Sequence, residues 1–508
     1  MSLPRLEVLV PPVAGFISVT YFEGGTTMSA DLRSNRNSLL ALTVVGQFMV
    51  LLDNTIVGVA LPTMETRLHT TLTGLQWIVD AYVLAVAVLL LVGGVSADRF
   101  GRKRVFLGGM ALFTLSSLLC SVAPSVGWLL AARVLQGIGA AALSPASLAL
   151  LASAYPVAQE RIKAIGLWAG LSGIGMAAGP VVGGILVDAF GWPSIFLVNL
   201  PIGVITLVIG WRVLPESRNP AARAFDLPGQ ALSVLGVGAL TFGLIEAGAR
   251  GWTSPLILSC FGAAVVLITL FLVVEGRSAA AMMPLHLFRQ KLFSVSNAAM
   301  TVVGFALMGS AFFFSQFFVL VQGYSELRAG LETLPSSLAM VVCSPYAGRI
   351  AARFGFRAVV TVGLVLAGIG LMTMAQVHQS TPYVNVWWRL VIIGIGFGLT
   401  MSPLTGAAIS SVAPQEGGLA SGISGVTRQI GAVFGVAVLG AIVRTRQTHG
   451  ASFAGGLDAA FLAAGAVTLA TAVLTGLWLV RSKPAEPAAA PAPAQTQSAA
   501  APPIASRP

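Results

Sequence analysis

The chain has 508 residues, of which 56% are hydrophobic and only 9% are charged. Soluble domains carry about a quarter charged residues and disordered chains carry few apolar ones, so the composition excludes both classes. The net charge of +11 does not indicate nucleic-acid binding, because the basic residues gather in short alternate loops beside apolar runs. The three cysteines lie inside apolar runs and the four histidines are unclustered, so we expect neither disulfides nor a metal site.

Apolar stretches recur along the chain at about 20 residues each, the length that a helix needs to cross about 30 Å of hydrocarbon. Fourteen spans are predicted, at roughly 38–61, 74–96, 105–124, 127–152, 164–189, 192–211, 227–247, 255–275, 292–321, 333–351, 358–377, 383–411, 417–443 and 456–480. An even count puts both chain ends on one side, and 20 of the 29 Lys and Arg residues lie in the termini and loops of that side. This bias predicts an all-α polytopic membrane protein with both termini in the cytoplasm.

Both ends of the chain are predicted to lie outside the membrane fold. Residues 1–37 are interpreted as a cytoplasmic segment, in which Met28 opens an ordinary polar lead and is a candidate for the true start. The apolar run before it is interrupted by Pro11 and Pro12, which fits a cleaved signal peptide poorly. Residues 481–508 consist largely of Ala, Pro, Gln and Ser and predict a disordered cytoplasmic tail.

Three ionisable residues lie well inside spans of the first half. Inserting a charge there costs about 2.5–3.5 kcal/mol, so such a residue is expected to have a partner, contact water or serve the function of the protein. Asp53 in the first span, Asp80 in the second and Arg133 in the fourth all lie about 9–12 Å below the outer boundary. We therefore expect two carboxylates to share one arginine, with one of them ionised and the other easily protonated. The functional interpretation is a proton and cation site that faces water. The structural alternative is a buried network that fixes helix rotation.

The loop after the second span concentrates charge, with five charged residues in the seven from Asp98 to Arg104. Orientation in the membrane explains part of this pattern. A tight turn at Gly101 and an acid among cations also suit a cytoplasmic gate that breaks and re-forms. The gate candidates are Asp98, Arg99, Gly101, Arg102 and Lys103.

The fifth span carries a dense run of glycines with a proline inside it. Glycines about four residues apart let a neighbouring helix approach closely, and a proline bends the helix that contains it. We interpret the run as a helix that moves during the functional cycle, and close packing alone is the simpler alternative. The residues are Gly175, Gly179, Pro180, Gly183 and Gly184.

The chain contains an internal repeat with an offset of 254 residues. The loop Gly94–Lys103 recurs weakly as Gly348–Arg357, and Arg133 is echoed by Arg389. Two six-helix bundles, at 38–211 and 292–480, are therefore predicted around two inserted helices at 212–291. Secondary candidates for function are Glu246, Arg389 and Arg428, although Glu246 can extend to the interface and arginines also bind helix carbonyls.

These segments resemble the major facilitator superfamily. The loop Gly94–Arg104 is similar to the signature between spans two and three, Arg133–Gly139 to the fourth-span motif, and Gly175–Gly184 to the fifth-span "antiporter" motif. Other segments resemble the fourteen-span drug:proton antiporter branch, and the likeness runs from about residue 40 to 480: Leu52–Pro62, Trp77–Tyr82, Phe225–Gly229, Gly243–Glu246, Gly251–Trp252 and Arg428–Gly431. Two positions depart from the pattern. Gly58 stands where the branch usually has Asn, and Ala352 replaces the acid in the second copy of the gate loop.

The resemblance implies proton-driven export of amphipathic, often cationic, drugs or antibiotics across a bacterial cytoplasmic membrane. It implies that Asp53 and Asp80 bind protons and cations, that Arg133 and Gln136 tune the coupling, and that Asp98 and Arg102 form the cytoplasmic gate. The implied partners are a small amphipathic molecule, protons and the bilayer, with a monomer as the expected state. The sequence contains no visible nucleophile, metal or cofactor constellation, so neither an enzyme nor a cofactor is predicted. Export of a single antibiotic is the main alternative, and proton-coupled import is a weaker one.

Overall fold

The computed structural model describes residues 27–218, 225–278, 281–413 and 416–479, with no side chain described at 27–35, 158 or 162. Regular structure in these ranges is helical throughout. The predicted tail and most of the predicted N-terminal segment lie outside the described residues. The helices are α1 Thr27–Arg67, α2 Leu72–Phe100, α3 Arg102–Ser121, α4 Val126–Ala154, α5 Ala158–Phe190, α6 in two parts (Ser194–Leu197 and Asn199–Val213), α7 Leu227–Arg250, α8 Pro255–Arg277, α9 Lys291–Gln316, α10 Glu326–Phe354, α11 Phe356–Met374, α12 Trp387–Ser410, α13 Gly417–Thr448 and α14 Phe453–Trp478.

These fourteen helices confirm the predicted all-α membrane fold. Within the described ranges, thirteen of them are long and apolar enough to cross a bilayer. The remaining helix is α10, which begins at Glu326 and carries Arg328 and Glu332 in its first two turns. The sequence placed this span at 333–351 because the charged turns were counted as loop. The structure extends the helix to Ser325, whose side chain accepts from the Arg328 backbone N–H and caps it.

The repeat is visible in the backbone at its two sharpest turns. Gly101 is the single residue between α2 and α3, and Gly355 is the single residue between α10 and α11. Their φ angles are +112° and +86°, a region that residues with a Cβ rarely adopt. Glycine at both positions therefore lets two long helices follow each other with no loop between them.

The two halves repeat the same helix pairs. In the first half α1 packs on α5, and α4 packs on both α2 and α3. In the second half α9 packs on α13, and α12 packs on both α10 and α11. The halves meet along two seams, α2 with α13 and α5 with α10. Of the two inserted helices, α7 lies against both α2 and α13, while α8 packs mainly on α7 and presents apolar side chains outward.

Candidate functional site

A buried network of hydrogen bonds centres on Asp53 in α1. Arg133 Nη1 in α4 donates to Asp53 Oδ2 at 2.6 Å and to Gln136 Oε1 at 2.7 Å. Gln136 Nε2 in turn donates to Asp53 Oδ1 at 2.7 Å. The exposed fraction of the Asp53 and Arg133 side chains is 0% and 1%. A buried ion pair is tolerated when further hydrogen bonds satisfy both partners, and here a neutral amide completes the contact between them.

Two further residues of this network were missed by the sequence analysis. Asn199 Nδ2, at the start of the long part of α6, lies 3.4 Å from Asp53 Oδ1 and 3.3 Å from Ser117 Oγ. Ser117 in α3 also accepts from Gln136 Nε2 at 2.9 Å. The signal for Asn199 was available, because an amide inside an apolar run is costly in a membrane. We call Asp53, Arg133, Gln136, Ser117 and Asn199 the Asp53 network.

Aromatic rings enclose the guanidinium of Arg133. The Tyr82 ring lies 4.3 Å from it and the Phe196 ring 5.8 Å, both within the range of cation–π attraction. Arg133 Nε donates to the Ile78 carbonyl at 3.2 Å, so the cation also contacts the backbone of α2. The arginine therefore ties α1, α2, α4 and α6 of the first half together.

Asp80 lies outside this network, so the expectation that two carboxylates share Arg133 is wrong. Its side chain is fully buried, and neither carboxyl oxygen has a hydrogen-bond partner among the described residues. Gln76, one turn earlier on α2, donates to the carbonyls of Val436 and Ala437 in α13. Because residues four apart share a helix face, Asp80 lies on the side of α2 that meets the second half. The equal depth predicted from the sequence did not fix which way the side chain points.

The gate candidates form a cluster at the junction of α2 and α3. Asp98 Oδ1 accepts from Arg102 Nη2 at 2.9 Å and from Arg102 Nε at 3.2 Å. The end of α6 and the segment after it hold the rest of the loop. Glu216, after α6, accepts from the Lys103 backbone N–H at 3.2 Å, and Lys103 Nζ donates to the carbonyl of Trp211 in the last turn of α6 at 2.7 Å. In the described part of the second copy, Gly348–Arg357, no ion pair forms. This difference agrees with the loss of the acid at Ala352.

The fifth-span glycines lie where helices approach closely. A Cβ on Gly175 would lie 2.6 Å from the Phe48 carbonyl oxygen, and one on Gly183 would lie 2.9 Å from the Ile56 side chain. Gly179 meets Thr55, also in α1. Gly184 faces α10 instead, and a Cβ at this position would lie 2.5 Å from Leu327 Cα. The Pro180 carbonyl packs against Gly330, which is also in α10. The glycine run therefore serves two contacts, one within the first half and one across the halves.

The seam between α5 and α10 is closed at one end and open at the other. We define the upper end of the bundle as the end at which α1 terminates, at Arg67. Near it, Thr63 donates to Glu326, and Asp188 Oδ2 accepts from the Leu327 N–H at 3.3 Å. Farther down, Gly166, Gly170 and Gly173 continue the same face of α5, yet a Cβ on each would meet no atom within 4 Å. The two halves are thus packed at the upper end and separated along the lower half of α5.

The secondary candidates have different surroundings. Glu246 Oε1 accepts from Trp77 Nε1 at 3.2 Å and Oε2 from Arg250 at 2.8 Å, so it joins α7 to α2. Arg389 donates to the Thr373 carbonyl at 2.8 Å, a bond that holds α12 against α11. Arg428 makes no ion pair with any described residue. These contacts favour a structural role for Arg389 and leave Arg428 as a free cation inside the bundle.

A cavity lies between the two halves, and the space inside it together with its open mouth amounts to about 890 Å³. Asn54, Thr55 and Gly58 of α1 form one wall, and Met176 and Pro180 of α5 adjoin them. The opposite wall comes from the second half and consists mainly of Phe, Met, Ser and Thr side chains of α9 and α10. An apolar lining with a few polar groups is typical of small-molecule sites. We call it the central cavity.

Two helix bundles around a central cavity, closed at one end and carrying a buried ion pair, define a secondary transporter of the alternating-access type. A family model for the Major Facilitator Superfamily matches residues 43–436 and 337–507. The chain belongs to the major facilitator superfamily, and its fourteen helices are consistent with the drug:proton antiporter branch.

Known proteins agree with this assignment. The chain is 41% identical over 412 residues to "Multidrug resistance protein Stp" of Mycobacterium tuberculosis (strain CDC 1551 / Oshkosh), covering 80% of this chain and 76% of the relative. It is 38% identical over 409 residues to "Methylenomycin A resistance protein" of Streptomyces coelicolor, covering 80% and 86% of the two chains. The fold matches the human organic anion transporter MFSD10 with a TM-score of 0.60 at 16% identity, over 87% of this chain and 99% of that one.

Proposed function

We propose that this protein exports amphipathic drugs or antibiotics from the cytoplasm in exchange for protons. The observation that carries the proposal is the double role of α1. Asp53 on one side of this helix belongs to the buried ion pair, while Asn54, Thr55 and Gly58 line the central cavity. A change in the charge of Asp53 therefore acts on a helix that also contacts the substrate. The two relatives are both named as resistance proteins, which supports the same function.

The lower end is proposed to face the cytoplasm, with both termini on that side, because the loops there carry most of the basic residues. The structure then corresponds to an inward-open state, in which a drug reaches the central cavity from the cytoplasm. The bundles at 38–211 and 292–480 would rock about this cavity, linked by the inserted segment 212–291. A monomer contains every group that the mechanism uses.

The proposed cycle alternates the charge of Asp53. In the inward-open state Asp53 is ionised and held by Arg133 and Gln136. After the upper seam opens, a proton from outside neutralises Asp53, which weakens its bond to Arg133 and frees α1 to shift. Asp80, which is buried without a partner on the side of α2 facing the second half, is the second proton site. Each proton contributes about 1.4 kcal/mol per pH unit, and about 2.3 kcal/mol per 100 mV for the charge moved.

The remaining predicted roles fit this cycle. The pair Asp98–Arg102 lies at the lower end, where it would hold α2 and α3 together as a rigid unit during gating. The glycines of α5 would permit the seam with α10 to close and reopen at Gly184.

Export of a single antibiotic is a second candidate, favoured by the relative whose name specifies methylenomycin A. The breadth of resistance that the chain confers separates the two.

The test uses inverted membrane vesicles that contain the chain and an energised proton gradient. Adding a transported drug to wild-type vesicles should release protons from the lumen, and Asp53→Asn should abolish this release. Glu160→Gln is the matched control, because Glu160 forms a solvent-exposed pair with Arg36 at 3.4 Å, far from the cavity. Drug-dependent proton release that Asp53→Asn leaves unchanged would contradict the proposed role of Asp53.

A further inference from the structure

The wall of the central cavity carries no charged side chain, and this property restricts the substrate. Its apolar part includes Met308, Phe312, Phe314 and Met340, and its polar part consists of hydroxyls and one amide. A cation that enters such a site loses its hydration without gaining a carboxylate, which is unfavourable. This lining favours an uncharged occupant over a cation.

The nearby acids cannot supply the missing charge in this state. Asp53 precedes Asn54 directly, but its side chain is fully buried and both carboxyl oxygens already accept hydrogen bonds from the Asp53 network. Asp80 follows Val79, which lines the cavity, yet the Asp80 carboxyl is also fully buried. Neither Asp53 nor Asp80 is among the residues that line the cavity.

The free charge closest to the cavity along α9 and α13 is positive. The carbonyl of Arg428 packs against Gly304, one helical turn before Leu307 and Met308 of the cavity wall. The Arg428 side chain is only partly buried and forms no ion pair within the described part of the chain. The positive charge of Arg428 is therefore not compensated by an acid in the described part of the chain.

Several polar groups of the cavity wall have no hydrogen-bond partner among the described residues. Two of these atoms, Ser315 Oγ and Asn54 Oδ1, are also buried. By contrast, the Ser310 hydroxyl donates to the Leu307 carbonyl at 3.2 Å and the Thr333 hydroxyl to the Gly330 carbonyl at 3.0 Å. Buried polar groups are normally paired, so these two atoms mark where a substrate donates hydrogen bonds.

From these contacts we propose that the transported molecules are uncharged when they occupy the cavity. They combine an apolar, aromatic body with hydroxyl, amide or similar groups that hydrogen-bond to Ser315 and Asn54. This inference rests on the proposed export function and replaces direct competition between drug and proton for one carboxylate. Coupling then passes through α1, and exchange of an uncharged drug for protons moves net charge across the membrane.

The first experiment measures susceptibility of a drug-sensitive strain that overexpresses the wild-type chain. The probes are two uncharged aromatic antibiotics, chloramphenicol and linezolid, and two permanent cations, ethidium and tetraphenylphosphonium. Resistance to the uncharged pair alone is the expected result. Resistance to the cations would overturn the inference while leaving the proposed export function intact. Resistance to none of the four would also contradict the inference, and it would favour export of a single antibiotic over export of many drugs.

The second experiment compares serine variants of α9 for drug uptake into inverted vesicles, at equal protein levels in the membrane. Ser315→Ala should lower the apparent affinity for the uncharged probe that is transported best by about two- to tenfold, the loss of one hydrogen bond. Ser310→Ala is the matched control, because this hydroxyl lines the same cavity but is already bonded to its own helix. An equal loss in both variants would contradict the assignment of Ser315.

Two further readouts address charge directly. Ser315→Asp places a carboxylate in the cavity wall and should gain ethidium transport while losing transport of the uncharged probe. Ethidium transport by the wild type that matches this variant would overturn the inference. In vesicles clamped at constant pH, an interior-positive potential should also accelerate uptake of the uncharged drug by the wild type. A rate independent of the potential would rule out net charge movement.

Discussion

The two halves of the molecule share a fold but divide its chemistry. In the first half Arg133 binds Asp53 at 2.6 Å and is 1% exposed. The equivalent Arg389 of the second half binds only the Thr373 carbonyl and meets no acid among the described residues. Most of the cavity wall, in contrast, comes from the second half. The duplicated fold thus carries the buried ion pair in one copy and most of the cavity wall in the other.

This division explains how proton binding and drug binding can be coupled without a shared group. The Asp53 network fixes α1 within the first half, and α1 is also the helix from which that half reaches into the cavity with the most side chains. Rotation or translation of α1 changes both sites together, as a two-state element must. The second half then provides the surface against which α1 moves.

The largest expected effect is a loss of stability when the two equivalent arginines are replaced one at a time. Arg133→Leu leaves the Asp53 carboxylate buried without its cation, which costs about 3–5 kcal/mol. Arg389→Leu removes a hydrogen bond to a backbone carbonyl and should cost about 1–3 kcal/mol. Thermal unfolding in detergent should show the larger drop for Arg133→Leu. In the double variant Asp53→Asn/Arg133→Leu part of the stability should return, while proton-coupled export stays absent. Equal losses for the two single variants would show that the halves do not differ as described.

Much of this comparison could be predicted from the sequence, and the missing parts have identifiable causes. Hydropathy predicted the fourteen helices, and the repeat predicted that Arg133 and Arg389 occupy equivalent positions. Both predictions were possible because span length and motif spacing are local properties. The separation of Asp80 from Arg133 could not be predicted, since depth in the membrane does not determine the direction of a side chain. Asn199 was not predicted, because the sequence analysis considered charged residues within the spans and not uncharged amides. The cavity wall could not be predicted either, because it depends on how two bundles that are distant in sequence pack together.

The second effect concerns the seam between the halves. Gly184→Ala places a methyl group 2.5 Å from Leu327 Cα and should prevent closure of the upper end. Gly173→Ala, on the same face of α5, meets open space and should leave this state unchanged. In a Thr63→Cys background, a membrane-impermeant maleimide should label the Gly184→Ala protein faster than the Gly173→Ala protein. Equal labelling rates would contradict a seam that is sealed at this glycine.

A smaller effect is expected at the amide that the sequence analysis overlooked. Asn199→Leu removes two long hydrogen bonds, of 3.4 Å to Asp53 and 3.3 Å to Ser117, but leaves the ion pair intact. We expect a loss of about 1 kcal/mol in stability. Because Asp53 keeps its bonds to Arg133 and Gln136, export should continue at a reduced rate, measured as drug uptake by inverted vesicles. Complete loss of export at normal protein levels would instead place Asn199 among the proton-coupling residues.

The smallest effect is expected at the two copies of the gate loop, and it tests whether the asymmetry there matters. Asp98 and Arg102 form a partly exposed pair four residues apart, a type that contributes about 0.3–0.5 kcal/mol. Asp98→Asn should therefore barely change thermal stability, so a clear fall in export would assign the pair to gating and not to folding. The matched variant Ala352→Asp restores an acid four residues before Phe356 in the second copy, with Arg353 and Arg357 nearby. If the charged contact must lie in the first copy, Ala352→Asp will not restore export to the Asp98→Asn protein. Rescue would show that either half can supply the gate, and the division of chemistry would then apply only to the membrane core.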